Sequence, residues 1–265
     1  MLKNTLSYFI IITFFIITTF ATNGADVTVS EFNNAYKEYV SNVNNNADET
    51  QLAEDALVLF EMSTSLSGKQ HPNTIALLNS AANHYRNAGM LEDAIKYYDE
   101  TLSLIDNSEL ESTVTHVNLL AEILDTKGAT SSRDRDEISE ELFREVRDLF
   151  QQTDPDETLL VSLNAFSTMI ENKDLGVKFS RLNRFANKLI AKAEELLPET
   201  SFELIRAQFN QGILLQSMKE EKEAINAFVK VVDVVSNNTD YSHPYEVAAH
   251  ARLVNLFEKK GDSQA

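Results

Sequence analysis

The chain has 265 residues and a formal charge of −18. Such an excess of carboxylates excludes a nucleic-acid partner, because a phosphate backbone is repelled before local contacts can form. With only 7 Gly and 4 Pro there is too little punctuation for a sheet protein, and the absence of Cys excludes disulfides and lipid attachment through a lipobox cysteine.

Residues 6–20 form an uncharged apolar run behind Lys3, the pattern of an export signal. The run is shorter than the roughly 20 apolar residues of a spanning helix, and Thr13, Thr18 and Thr19 interrupt it. Residues 1–24 are therefore expected to be a signal peptide, cut after Ala21 or Gly24; an uncleaved N-terminal anchor in the inner membrane is the other reading. Export without cysteines points to a bacterial periplasm or cell envelope, and the sequon at Asn237 is then read as accidental in an Asn-rich chain.

From residue 27 onward apolar residues recur at helical spacing. A first hairpin is predicted over residues 32–43 and 52–66, turning at Asn44, Asn45 and Asn46. A second opens at His71-Pro72, runs through Ile75, Leu78, Ala82 and Tyr85, stops at Gly89, and returns through Ala94, Ile95, Tyr98, Leu102 and Ile105. In the third, Ala121, Leu124 and Gly128 keep the first helix, and a polar insertion over residues 129–137 precedes a second helix over 138–150. The fourth pairs residues 157–171 with 175–197. The fifth carries Gly212, Leu215, Ala224 and Phe228, with Lys219 where Gly would stand. The sixth is represented by residues 243–261 alone, so the apolar side from Val247 to Phe257 is expected to lie uncovered at the C-terminal end, as a docking face.

Residues 71–89 and 243–261 both run from His-Pro to Gly and align at an offset of four units of about 43 residues, the signature of a repeat architecture. Ala82, Tyr85, Gly89, Ala94 and Tyr98 give the succession small, aromatic, Gly, Ala, aromatic of a tetratricopeptide repeat, and the opening His-Pro-Asn-Thr with its long period resembles the kinesin-light-chain variety. The resemblance implies an all-α fold over residues 27–265: a right-handed α-solenoid of about five and a half helix hairpins that binds a protein or peptide. The layout is also similar to the periplasmic repeat region of some TonB-family energy transducers. The Tyr-Pro-containing strand–helix–strand domain of those proteins has no counterpart after residue 261, so the alternative is an accessory or truncated transducer.

No catalytic constellation is visible. The five His make no ligand-spaced pair, and neither a Gly-rich phosphate loop nor a Gly-x-Ser-x-Gly elbow occurs; the expectation is no enzyme, no metal and no cofactor. His71 and His243 read as loop residues ahead of Pro, and His84 as a surface position beside Tyr85. In the family the chain resembles, first helices line a concave groove. That implies Asn79, Asn83 and Arg86 from the second hairpin, Asn118 and Glu122 from the third, Phe209 and Gln216 from the fifth, and Arg252 and Asn255 from the sixth. Carboxamides both donate and accept, so an Asn row suits an extended peptide backbone; a general abundance of Asn is the competing explanation. Finally, Lys178, Arg181, Arg184, Lys188 and Lys192 follow an acidic helix bearing Glu137, Glu140, Glu141, Glu145 and Asp148. Mutual screening is the preferred reading, and a patch for an anionic component of the envelope the alternative.

Overall fold

A computed structural model describes residues 27–106, 113–128, 135–152, 155–172, 176–238 and 243–262. The export segment and residues 129–134 of the polar insertion lie outside the described residues, and the last three residues expected in that insertion, 135–137, instead form the first turn of a helix. Among these there are eleven helices and no strand: α1 (Val29–Asn44), α2 (Glu49–Ser67), α3 (Pro72–Asn87), α4 (Leu91–Asp106), α5 (Thr113–Gly128), α6 (Arg135–Gln152), α7 (Pro155–Glu171), α8 (Phe179–Leu196), α9 (Phe202–Ser217), α10 (Glu221–Ser236) and α11 (Pro244–Asp262). The expected hairpins are all present as α1–α2 through α9–α10, followed by α11. The second helix of the fourth hairpin starts at Phe179, and Leu175, where the sequence pattern opens it, lies outside the described residues.

Local chemistry sets the helix ends. Thr28 and Glu31 form a reciprocal capping box at α1, and Asp48 accepts from the backbone N–H groups of Thr50 and Gln51 at α2. The two His-Pro openings have one purpose. His71 Nδ1 accepts from Asn73 N at 3.2 Å and His243 Nδ1 from Tyr245 N at 3.2 Å, so each imidazole caps its helix while Pro occupies the first turn.

The hairpin turns are equally specific. After α3, Met90 N donates to Tyr85 O and Gly89 N to Arg86 O; after α9, Glu220 N donates to Leu215 O and Lys219 N to Gln216 O. These are the same helix-ending motif, which requires a left-handed residue, and Gly89 and Lys219 have φ of 79° and 64°. Lys219 holds that conformation at a steric cost of about 1–2 kcal/mol.

Packing follows the repeat. Each second helix lies against the first helix of the next hairpin, from α2 on α3 to α10 on α11, while α5, α7 and α9 also pack on one another and α9 touches α11. The buried side chains form three connected clusters: α1 to α5, α5 to α9, and α9 to α11. α5 contributes to the first two and α9 to the last two, so the core is a continuous strip through an all-α solenoid. Small residues permit the approach. Ala81 and Ala82 of α3 and Ala94 of α4 are fully buried, and a Cβ on Gly212 would stand 2.6 Å from the buried Phe228 ring. At the far end Val247, Val254 and Phe257 of α11 are exposed.

Candidate functional site

The first helices α3, α5, α7, α9 and α11 carry a row of polar side chains that meet across repeat boundaries. Arg86 on α3 pairs with Glu122 on α5. On α11, Arg252 Nη1 donates to Gln216 Oε1 of α9 at 3.4 Å. Both contacts join residues expected in the groove, and both use them to tie neighbouring repeats.

The remaining groove candidates divide. Asn83 Oδ1 accepts from the Tyr98 hydroxyl at 2.7 Å, inside its own hairpin; burial pushes that phenol up to about 12, so it remains a donor. Asn79 is half-buried, with Oδ1 enclosed and without a hydrogen-bond partner among the described residues. Asn118 is half-buried and makes no side-chain hydrogen bond among the described residues, and Asn255 is exposed. Phe209 departs from expectation. It is only 6% exposed, with the rings of Phe228 and Tyr245 centred 5.5 and 5.0 Å away, so it belongs to the core and offers no groove surface.

The densest polar site was not anticipated. Glu171, the last residue of α7, accepts four hydrogen bonds: Oε1 from Arg206 Nε (2.9 Å), Asn210 Nδ2 (2.9 Å) and the Tyr245 hydroxyl (3.0 Å), and Oε2 from Arg206 Nη2 (2.5 Å). Arg206 Nη1 continues to Asn164 Oδ1 at 2.9 Å. Five side chains from α7, α9 and α11 thus close one bidentate-centred network. Burial pushes the Glu171 carboxyl up, but the Arg206 hydrogen bonds and charge, with the hydrogen bonds of Asn210 and Tyr245, outweigh it and hold the group below its ordinary value. Burial also disfavours the charged Arg206, and Glu171 more than restores it. Tyr245 is raised to about 12, by burial first and by the Glu171 charge second.

A carboxylate tied to a guanidinium by two hydrogen bonds and to two further donors is held in one orientation and kept ionised, so the network acts as a clamp. One sequence signal pointed to it: Arg206 and Asn210 stand one turn apart on a largely apolar helix, where two polar residues on one side need partners.

A second polar cluster corrects the placement of His84. Its side chain is 14% exposed and lies between helices: Nε2 stands 2.8 Å from the Tyr39 hydroxyl of α1, and Nδ1 2.7 Å from Glu49 of α2. His84 joins the first hairpin to the second instead of facing solvent. Among the described residues no group of three His, Asp or Glu is placed to hold a metal ion.

No family model matches the sequence, and no curated protein matches it. Solved structures do. A putative kinesin light chain of Podospora anserina with nearly identical TPR-like repeats superposes with a TM-score of 0.56, and a point-substituted form of the same protein with 0.59. Each is 12% identical, and each match covers 80% of this chain and 98% of that one. The fold is of the TPR-like repeat type.

The clamp predicts a specific pH signature. Because the folded pKa of Glu171 is depressed, its stabilisation is complete above the ordinary carboxylate value near 4.3 and is lost as pH falls through the lowered value. Arg206→Met should therefore lower unfolding stability by about 2 kcal/mol at pH 7, less than a fully buried pair because both side chains keep some exposure. Urea titrations should show that gap narrowing below about pH 4; an equal gap at neutral and at strongly acidic pH would contradict the assignment.

Proposed function

We propose that this chain is a protein-interaction module that holds a polypeptide segment along its row of first helices, at the α3–α5–α7 end. The observation that supports it is an uneven use of polar capacity. Most of the row is consumed by its own contacts, in the Glu171 network, the Arg252–Gln216 bond and the Arg86–Glu122 pair. The middle of α5 is not. Asn118 keeps its amide, and Val114, one turn before it on the same side of α5, is 37% exposed. On α7, Leu160 is 50% exposed one turn before Asn164. Apolar side chains beside a free carboxamide suit an extended segment, whose backbone needs both a donor and an acceptor and whose side chains need apolar contact.

Random-peptide display against the immobilised chain should yield saturable binders. Their affinity should fall about tenfold or more in Asn118→Ala/Leu160→Asp and stay unchanged in Lys222→Ala, on the outer helix α10. Binders insensitive to the double substitution would refute this placement.

Export belongs to the same proposal and rests on the apolar segment at residues 6–20. Protein isolated from its native cells should be about 2.5 kDa lighter than the 29.8 kDa chain if residues 1–24 are removed. A full-length mass in the membrane fraction would identify an anchor instead. The energy-transducer alternative rests on the sequence layout alone.

A further inference from the structure

We infer that the outer face of α8 is a docking surface for an acidic polypeptide segment, separate from and independent of the first-helix row. The second helices α2, α4, α6 and α10 each carry more Asp and Glu than Lys and Arg. α8 reverses this, with four basic residues against two acidic ones, Glu194 and Glu195, both in its last turn, and Lys178 immediately before it. In a chain of charge −18 it is the one net-basic outer helix among those described.

The sequence offered a plain explanation, that acidic α6 neutralises basic α8. The structure provides one such bridge, Arg181 Nη1 to Glu140 at 3.1 Å. Three other α6 carboxylates have partners on their own helix, Glu145 with Arg144 at 3.2 Å, Glu141 with Arg144 at 3.8 Å and Asp148 with Arg147 at 2.6 Å, and Glu141 also stands 3.8 Å from His116 of α5. Lys192 likewise pairs within α8, with Glu195 at 3.4 Å. Lys178, Arg184 and Lys188 are exposed and make no ion pair among the described residues. Screening therefore accounts for two of the five cations and leaves three facing solvent.

The dimensions select the occupant. At 1.5 Å per residue, Lys178 to Lys188 spans about 15 Å, and Arg184 to Lys188 about 6 Å. An extended segment of about five residues covers that length; its alternate side chains, about 6.6 Å apart, match the interval from Arg184 to Lys188, and the longer interval of about 9 Å back to Lys178 is within reach of that flexible side chain. A flat anionic bilayer fits worse. α6 exposes Asp136 and Glu137 on one side of α8, and α10 exposes Glu223 and Asp233 on the other, so a surface wide enough to be a membrane would meet those carboxylates too. A single strand with acidic residues at alternate positions lies on the stripe alone.

The test is fluorescence anisotropy of the full chain with a labelled peptide of about ten residues alternating Glu and Thr. Saturable binding should weaken about tenfold or more in Lys178→Glu/Arg184→Glu/Lys188→Glu, and on raising salt from about 50 to about 500 mM, with the helical circular dichroism unchanged. A control reversing Lys37, Lys96 and Lys222 to Glu should bind like the parent. If the charge-reversed stripe loses helicity, the Gln triple at the same positions is the variant scored. The inference is overturned by an absence of saturable binding, by equal losses in the control, or by stripe-dependent sedimentation with phosphatidylserine vesicles that the peptide does not compete away.

Discussion

Helices apolar around most of their circumference have to be surrounded, and that requirement organises this molecule. α9 buries nine residues distributed on every side, including Ile205, Phe209 and Leu214, whereas α1 buries only Tyr39. A helix like α9 cannot be satisfied by one partner; it sits among α7, α8, α10 and α11. Because each first helix must be covered by its own hairpin partner and by the hairpin before it, one unit cannot stand alone, and stacking is what completes the core. The buried alanines of α3 and α4, and Gly212 under Phe228, set how closely that stack can be drawn.

Close stacking has an electrostatic consequence. It brings the polar edges of neighbouring first helices within hydrogen-bond reach, where unpaired groups would be costly. The pairs Arg86–Glu122 and Arg252–Gln216 and the network around Glu171 meet that demand, and they fix the orientation of each repeat on the next. The row is thus a seam wherever it is paired, and at Asn118 it keeps a carboxamide without a hydrogen-bond partner among the described residues.

The repeat was legible in the sequence because its determinants are local. His-Pro caps a helix within two residues, Gly89 ends one within five, and alanines at fixed spacing mark the tight faces. Even the Gly-to-Lys change at position 219 left the turn readable, since the surrounding pattern imposed the left-handed residue. The site was less legible because its partners are remote. Glu171 is joined to Arg206 and Tyr245 from helices 35 and 74 positions away, and the meeting depends on how far each hairpin rotates on the last. His84 was misplaced for the same reason: Tyr39 and Glu49, which enclose it, belong to the preceding hairpin. Phe209 fell in the groove by register and in the core by packing, because Tyr245 of α11 covers it. Charge pairing between α6 and α8 is realised at Arg181–Glu140 and goes no further among the described residues, since Glu145 and Lys192 find counter-ions on their own helices.

A TPR-like stack with a first-helix row paired along most of its seams and open at Asn118, and with one basic outer helix in an acidic molecule, has two chemically distinct faces. On the proposed reading, the first-helix row receives the partner polypeptide. Hydrogen–deuterium exchange of the full chain, with and without a peptide selected for binding, tests this most directly. Occupation of the row should add protection in α3, α5 and α7 and leave α2, α4 and α6 unchanged; protection confined to the second helices, or none at all, would contradict it.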